Sequence, residues 1–359
     1  MKVLVVRPDR LGDLVLSLPV FAAGKAARPD WEFHALVAPV CAPLVENDPD
    51  IAAVWTWSPV APASAGAELV AALRAERFDA AVMLQFGAPL ARLLRRAGIG
   101  RLYGPLSKPS SWLLLNRGTW QRRSRGGRHE MDLNLELMAA VLRTRHVESG
   151  PARLHLSPAQ EQIGREFRRE LAGDADRVAF VHPGSGGSAL DWDPGRFAAV
   201  AGALADLPGW RVFVTGQGAD GPAVLAMQAA GLGPRVGILL DRYSLREFLG
   251  VLSGGDAFVG PSTGPLHLAS ALGLGTVGIF PPAPAMHPRR WGPRGPWNRV
   301  LVPEVTCPAR HACRLAKCPL HNCLGEVSVA AVLGAVRMVL AERETSMADQ
   351  GRERGRTGR

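Results

Sequence analysis

The 359-residue sequence contains no uncharged apolar run of the roughly 18 residues that a membrane-crossing helix requires. Its opening apolar run gives way to Arg7, Asp9 and Arg10, which is not the core of a secretory signal. A soluble cytoplasmic chain is therefore expected. Cysteine is scarce and odd in number, with Cys41 standing apart from Cys307, Cys313, Cys318 and Cys323, so a secreted disulfide framework is excluded. The 40 glycines and 29 prolines follow no collagen-like period. What is present is ordinary globular composition, 47% apolar and 21% charged, which excludes wholesale disorder. A chain of this length buries a large core unaided and suggests two domains.

Short apolar runs alternate with helical patterns. Strands are expected at Lys2–Val6, Glu32–Val37, Ile51–Trp55 and Phe78–Leu84, then at Arg177–Val181, Arg211–Thr215, Arg235–Leu239, Ala257–Val259 and Thr276–Ile279. Helices are expected to open at Asp13 and to span Gly66–Arg77, Pro158–Ala172, Pro194–Ala205, Gly221–Ala230, Ser244–Ser253 and Pro265–Leu272. This alternation predicts an α/β chain with two doubly wound parallel sheets, residues 1–150 and 151–343. The Gly/Arg-rich stretch 344–359 has no apolar period and is expected to be a disordered tail. Ligands of such folds bind where strand ends meet helix N-termini, and a cleft between the two domains is the expected site.

Charge is unevenly placed. The chain carries +10, and residues 92–128 hold ten cations (Arg92, Arg95, Arg96, Arg101, Lys108, Arg117, Arg122, Arg123, Arg125, Arg128) and no acid. Everything outside that window sums to zero. One reading is a solvated face. The other is a docking surface for a phosphorylated acceptor or an anionic membrane, each near-surface cation adding about 1 kcal/mol. Trp112–Leu115 and Trp120 inside the window suit a lipid–water interface rather than a stacking platform for bases. No nucleic-acid partner is expected.

Three loops carry candidate chemistry. Ser262 and Thr263 sit in a strand-to-helix turn, Gly264 permits close backbone approach, and Pro265 opens the helix that bears His267. Such a turn seats a pyrophosphate on backbone N–H groups; the plainer reading is a cap beside a core histidine. The run His182-Pro183-Gly184-Ser185-Gly186-Gly187-Ser188 lacks the Gly-Lys-Ser/Thr of a Walker loop but can cradle a phosphate. In Arg7-Pro8-Asp9-Arg10-Leu11-Gly12-Asp13, Asp13 is either a helix cap or a carboxylate that takes a proton from an acceptor hydroxyl.

Taken jointly and in this order, these loops resemble glycosyltransferase family 9, the lipopolysaccharide heptosyltransferases. The resemblance extends through His129-Glu130, His182-Pro183-Gly184-Ser185, Trp192, Arg196, Phe197, Thr215-Gly216, the Ser262–Ala269 turn and Trp291-Gly292-Pro293. It implies a GT-B fold with two Rossmann-like domains facing a central cleft. It also implies an inverting transfer, without metal or other cofactor, of heptose from ADP-heptose to the lipid-linked inner core of lipopolysaccharide. Asp13 would be the general base. His182, Ser185, Gly186, Ser188, Ser262, Thr263, Gly264, Pro265 and His267 would hold the donor diphosphate, Tyr243 would lie against the base, and Asp220 near the ribose. Peripheral attachment to the inner face of the cytoplasmic membrane through 92–128 follows from the same resemblance and the charge.

Two positions depart from the family pattern. Leu190 stands where relatives commonly carry a basic residue, which Arg289 or Arg290 would have to replace, and Ser262 stands where many have aspartate. A GT-B protein that binds a nucleotide sugar with impaired catalysis, or a transferase of another sugar, is the alternative. The late cysteines, interleaved with His311 and His321, have spacings that fit structural zinc poorly; reduced thiols or a local disulfide are the other readings.

Overall fold

A computed structural model describes residues 1–357 apart from 124–126, 188–189, 310–312, 314–317, 319 and 321. The chain forms two compact units, Met1–His155 and Leu156–Arg359.

In the first unit, strands β1 (Lys2–Arg7), β2 (Glu32–Val37), β3 (Ala53–Thr56), β4 (Ala80–Met83), β5 (Leu102–Pro105) and β6 (Arg117–Thr119) make one parallel sheet in the order β3-β2-β1-β4-β5-β6. The crossovers are α1 (Leu11–Val15), α2 (Pro19–Ala27), α3 (Ala63–Glu76), α4 (Ala88–Arg96) and α5 (Pro109–Leu114), and α6 (Glu130–Leu142) follows β6. The central strands are apolar throughout because helices cover both faces; β1 is buried from Val3 to Arg7 and β4 over its whole length.

The second unit opens with α7 (Pro158–Phe167), capped by a reciprocal Ser157–Gln160 box. Strands β7 (Arg177–Val181), β8 (Trp210–Gly216), β9 (Val236–Leu240), β10 (Ala257–Pro261), β11 (Gly275–Ile279) and β12 (Asn298–Leu301) form a second parallel sheet, ordered β12-β11-β10-β7-β8-β9. Helices α8 (Pro194–Ala205), α9 (Gly221–Ala229), α10 (Leu245–Ser253), α11 (Gly264–Ala271), α12 (Pro288–Trp291) and α13 (Val329–Thr357) complete it.

Both sheets have the doubly wound order in which successive strands grow outward on one side and then on the other. The reversals fall between β1 and β4 and between β7 and β10, so loops leaving the carboxyl ends of β1, β7 and β10 stand where such folds bind ligands.

Three differences from the sequence expectations have physical causes. The first helix begins at Leu11 with Arg10 as its N-cap, so Asp13 is not its cap; its side chain turns instead to Arg7. Strands β5 and β6 at an edge of the first sheet and β12 at an edge of the second are only three or four residues long and carry little apolar pattern. Helix α13 continues through the stretch expected as a tail: Val332, Val336, Val339 and Leu340 bury its early turns. Once those turns are fixed, elongation costs little, and ion pairs from Arg177 to Glu344 and from Arg343 to Asp256 (3.1 Å) tie the continuation down.

Candidate active site

Arg7 ends β1, and its guanidinium, only 2% exposed, faces three carboxylates. Its Nε lies 2.8 Å from Asp9 Oδ1, its Nη2 donates to Asp13 Oδ1 at 2.8 Å, and its Nη1 donates to Glu130 Oε1 at 3.0 Å. Glu130 opens α6 and also pairs with Arg123, which donates to Asn134 Oδ1 at 3.1 Å. Asn134 Nδ2 donates to Ser17 Oγ (3.0 Å), and Ser17 donates to the Asp13 carbonyl (2.7 Å). Arg7 of β1 and Ser17, just beyond α1 and itself braced by Asn134 of α6, thus hold Asp13 through its side chain and its carbonyl.

Two guanidiniums serve three carboxylates, and the imbalance shows. Burial disfavours the Arg7 charge, but Asp9, Glu130 and Asp13 together outweigh burial and raise its pKa. Burial pushes Asp9 up to about 6, with Arg7 opposing and Asp13 adding to the rise. Partners in one ion pair would ordinarily shift apart; both rise here because a single cation cannot compensate every anion around it. Burial and the same acids push the Cys41 thiol up to about 12. Asp13 keeps a 17%-exposed side chain, and among the described residues no hydrogen bond reaches its Oδ2.

In the second unit, Val181 of β7 is in register with Val259 of β10, and His182 N–H donates to the Val259 carbonyl at 2.9 Å. The loop from His182 and the turn from Ser262 therefore rise side by side. Gly186 and Gly187 adopt φ of +54° and +76°, a left-handed turn that favours glycine. His182 is buried, its Nδ1 3.0 Å from Thr215 Oγ1 and its Nε2 3.5 Å from Asp220 Oδ2. Burial lowers its pKa, with Asp220 opposing. Gly184 is required, because a Cβ there would stand 2.3 Å from Asp220 Oδ1. Ser185 bonds Asp191, whose carboxyl burial pushes upward.

Thr263 is the extended N-cap of α11, Gly264 begins that helix and Pro265 lies in its first turn; Thr263 and His267 are buried and Ser262 half-buried. A helix start carries N–H groups without intrahelical partners and a dipole that favours an anion. Tyr243, half-buried, precedes the Ser244 cap of α10 just past the carboxyl end of β9. His182, Ser185, Gly186, Ser262, Thr263 and Gly264 are thus brought to one sheet edge, with Tyr243 at the same edge two strands away from β7. Ser188 lies outside the described residues.

Sequence reasoning missed Arg7 as the hub, and Asp9, Thr215 and Asp191 as neighbours; no local pattern signals a contact spanning 123 residues. Leu190 packs against the apolar core of the second unit and lines an apolar pocket together with Pro281, Pro282, Val305, Cys307, Cys313, Cys318 and Cys323, surroundings that suit an apolar side chain. All five cysteines are free thiols. Among the described residues no three His, Cys, Asp or Glu side chains stand together as a metal site; His311 and His321 lie outside them. Arg290 is stacked over Trp291, 4.3 Å from its ring centroid.

Two doubly wound parallel sheets define an α/β class of Rossmann-like type, and the comparisons narrow it. Residues 67–318 match the family model described as glycosyltransferase family 9 (heptosyltransferase), a span that takes in both second-unit loops and starts after Asp13. A Haemophilus influenzae protein provisionally named a glycosyltransferase is 31% identical over 337 residues, covering 91% of this chain and 96% of that one. The chain belongs to glycosyltransferase family 9, and it is a glycosyltransferase of the GT-B type. Escherichia coli ADP-heptose lipopolysaccharide heptosyltransferase II shares the fold at a TM-score of 0.77 and 21% identity, covering 96% of this chain and 100% of that one. E. coli heptosyltransferase WaaC, solved with ADP, does so at 0.71 and 21%, covering 94% and 100%.

Proposed function

We propose that the chain transfers heptose from ADP-heptose to the inner core of lipopolysaccharide with inversion, Asp13 acting as the general base. The observation that carries this is Asp13 itself, fixed through Oδ1 by the buried Arg7 at the carboxyl end of β1 while Oδ2 accepts no bond from a described residue. On this reading Oδ2 takes the proton of the acceptor hydroxyl. The acceptor oxygen then bonds to the anomeric carbon as the bond from that carbon to the diphosphate oxygen breaks. ADP leaves with the bonding pair. Its charge is met by the His182–Gly187 loop and the start of α11, which offer backbone N–H groups and a helix dipole fixed before the reaction.

ADP as the nucleotide is supported by the family and by the WaaC structure, which was solved with ADP. Buried, uncharged His182 serves as a wall of the diphosphate seat rather than as an acid, since its lowered pKa keeps it neutral. Asp13 and the donor loops belong to different units, so donor binding needs the second unit and transfer needs both. The acceptor is an anionic lipid-linked saccharide, and cytoplasmic peripheral contact with the membrane through 92–128 is part of the same reading. No described helix is long and apolar enough to cross a membrane.

The test is a thermal-shift panel of ADP-, GDP- and UDP-sugars followed by incubation with ADP-heptose and a lipid A–Kdo acceptor. The reading expects the largest stabilisation from ADP-heptose and a heptosylated product. Stabilisation without product would instead support the impaired binding protein, and preference for another nucleotide a different sugar.

A further inference from the structure

We infer that Arg10 is the seat for an anionic group of the acceptor, holding a carboxylate or phosphate of the saccharide beside the hydroxyl that Asp13 engages. The inference rests on the proposed transfer and deepens it by naming the residue that reads the acceptor. Its binding half is measurable without turnover.

Arg10 stands where its chemistry does little for the fold. It is the N-cap of α1, with extended backbone (φ −78°, ψ 159°), and its side chain makes no capping bond. A guanidinium carries only donors, so it satisfies none of the free N–H groups at a helix start. Its charge is also disfavoured at that end of a helix. Serine, threonine, asparagine or aspartate would serve α1 better.

The acids nearest to it in the chain are already engaged. The N-cap and the third residue of a helix are the pair whose side chains meet in a capping box, and Asp13 is the third residue of α1. Asp13 Oδ1 nevertheless accepts from Arg7 Nη2 at 2.8 Å, and Asp9 Oδ1 lies 2.8 Å from Arg7 Nε. Among the described residues no carboxylate lies within ion-pair distance of Arg10, whose side chain is exposed. The buried arginine takes both acids, and the exposed one keeps its charge for a ligand.

The charge around Asp13 calls for such a cation. Asp9, Asp13 and Glu130 share the guanidiniums of Arg7 and Arg123, so with all three ionised the cluster carries one negative charge in excess. An acceptor with its own anion is repelled from that cluster unless a cation stands at its rim. Arg10 follows the carboxyl end of β1 and precedes the base by one helical turn, so it stands at that rim. Its planar fork holds either oxyanion through two parallel N–H···O bonds, which fixes the orientation of the saccharide as well as its position. The loops proposed for the donor are in the other unit, so the effect of Arg10 falls on the acceptor.

The test uses the full chain with deacylated lipid A–Kdo, its carboxyl-reduced form and its dephosphorylated form. Binding is read by calorimetry without donor, and transfer by steady-state kinetics. Arg10→Gln is expected to weaken binding of the unmodified acceptor about tenfold and to raise its KM by a similar factor, with ADP affinity and kcat within about twofold. Arg10→Lys, which keeps the charge without the fork, should lose about threefold. Arg10→Ser should weaken binding as Gln does while raising Tm by about 2 °C, which separates loss of the seat from damage to the fold. Arg77→Gln, between α3 and the amino end of β4, controls for net charge and should change neither. The difference between parent and Arg10→Gln should vanish on the carboxyl-reduced acceptor where a sugar acid is held, and on the dephosphorylated one where a phosphate is. A difference that persists on both, binding unchanged in Arg10→Gln, or a parent that does not bind the deacylated acceptor would overturn the inference. Binding that depends on Arg10 with no transfer would instead remove the transferase reading and leave the anion seat standing.

Discussion

The guanidinium of Arg7 donates to Asp13 Oδ1 at 2.8 Å from a position that solvent barely reaches. That contact places a carboxylate at the end of β1 and settles which of its oxygens is engaged. Replacing Arg7 with Lys keeps the charge but removes the planar fork that reaches Asp9, Asp13 and Glu130 at once. Arg7→Lys is expected to lose about 3 kcal/mol of stability, since it leaves buried carboxylates uncompensated. Its kcat should fall while the KM for donor changes little, because the proposed donor loops are in the other unit. Urea unfolding and steady-state kinetics read both.

Asp9 predicts an unusual pH dependence. The folded chain retains a proton on Asp9 up to about 6, whereas the unfolded chain releases it near 3.8. Between those values the folded state binds more protons, so this contribution to stability is complete below about pH 4 and is lost as pH rises through 6. Asp9→Asn should therefore stabilise the chain at pH 7–8, by about 2–3 kcal/mol from the size of the shift, and confer no advantage near pH 4. A difference in unfolding free energy that stays flat across this interval would contradict the assignment.

His182 works in the opposite sense. Burial lowers its pKa below 6.5, so the folded chain binds fewer protons than the unfolded chain once pH falls under that value. Its stabilising contribution is full above pH 6.5 and is lost on acidification from there. His182→Gln should show a shallower decline in Tm between pH 6.5 and 5. Thr215→Val, which strips the partner 3.0 Å from Nδ1, should cost about 1–2 kcal/mol and weaken ADP binding.

Gly184 tests the proposed donor loop directly. A methyl group at Gly184 would stand 2.3 Å from Asp220 Oδ1, and Asp220 also accepts from Gln217 N–H at 3.0 Å, so neither side yields without disturbing the other. Gly184→Ala is expected to weaken ADP binding about tenfold by calorimetry, corresponding to about 1.4 kcal/mol, while Gly127→Ala in open space leaves it unchanged.

Much of this was legible in the sequence, and the exceptions are instructive. β1, β7 and β10 announce themselves as unbroken apolar runs because helices cover both their faces. Gly264 and Pro265 mark the start of α11 through ordinary helix-start chemistry. β5, with Gly104 and Pro105, and the three-residue β6 carry turn residues in place of an apolar run, so pattern alone passes over them. Asp13 looks like a cap from its neighbours; only Glu130 and Arg7, brought together from distant stretches, show its side chain turned elsewhere. Leu190 reads as a lost cation until the apolar pocket it lines with Pro281 and Val305 is seen. The helix through 344–357 continues from apolar contacts made well before it, which local composition does not record.

The central claim is that one oxygen of Asp13 removes the acceptor proton. It is tested most directly by single-turnover transfer with donor-saturated Asp13→Asn, which keeps the side chain's shape and abolishes its basicity. The account predicts near-normal folding and ADP affinity with transfer slowed by about 10²–10⁴-fold. Transfer at the parental rate would remove Asp13 from the chemistry.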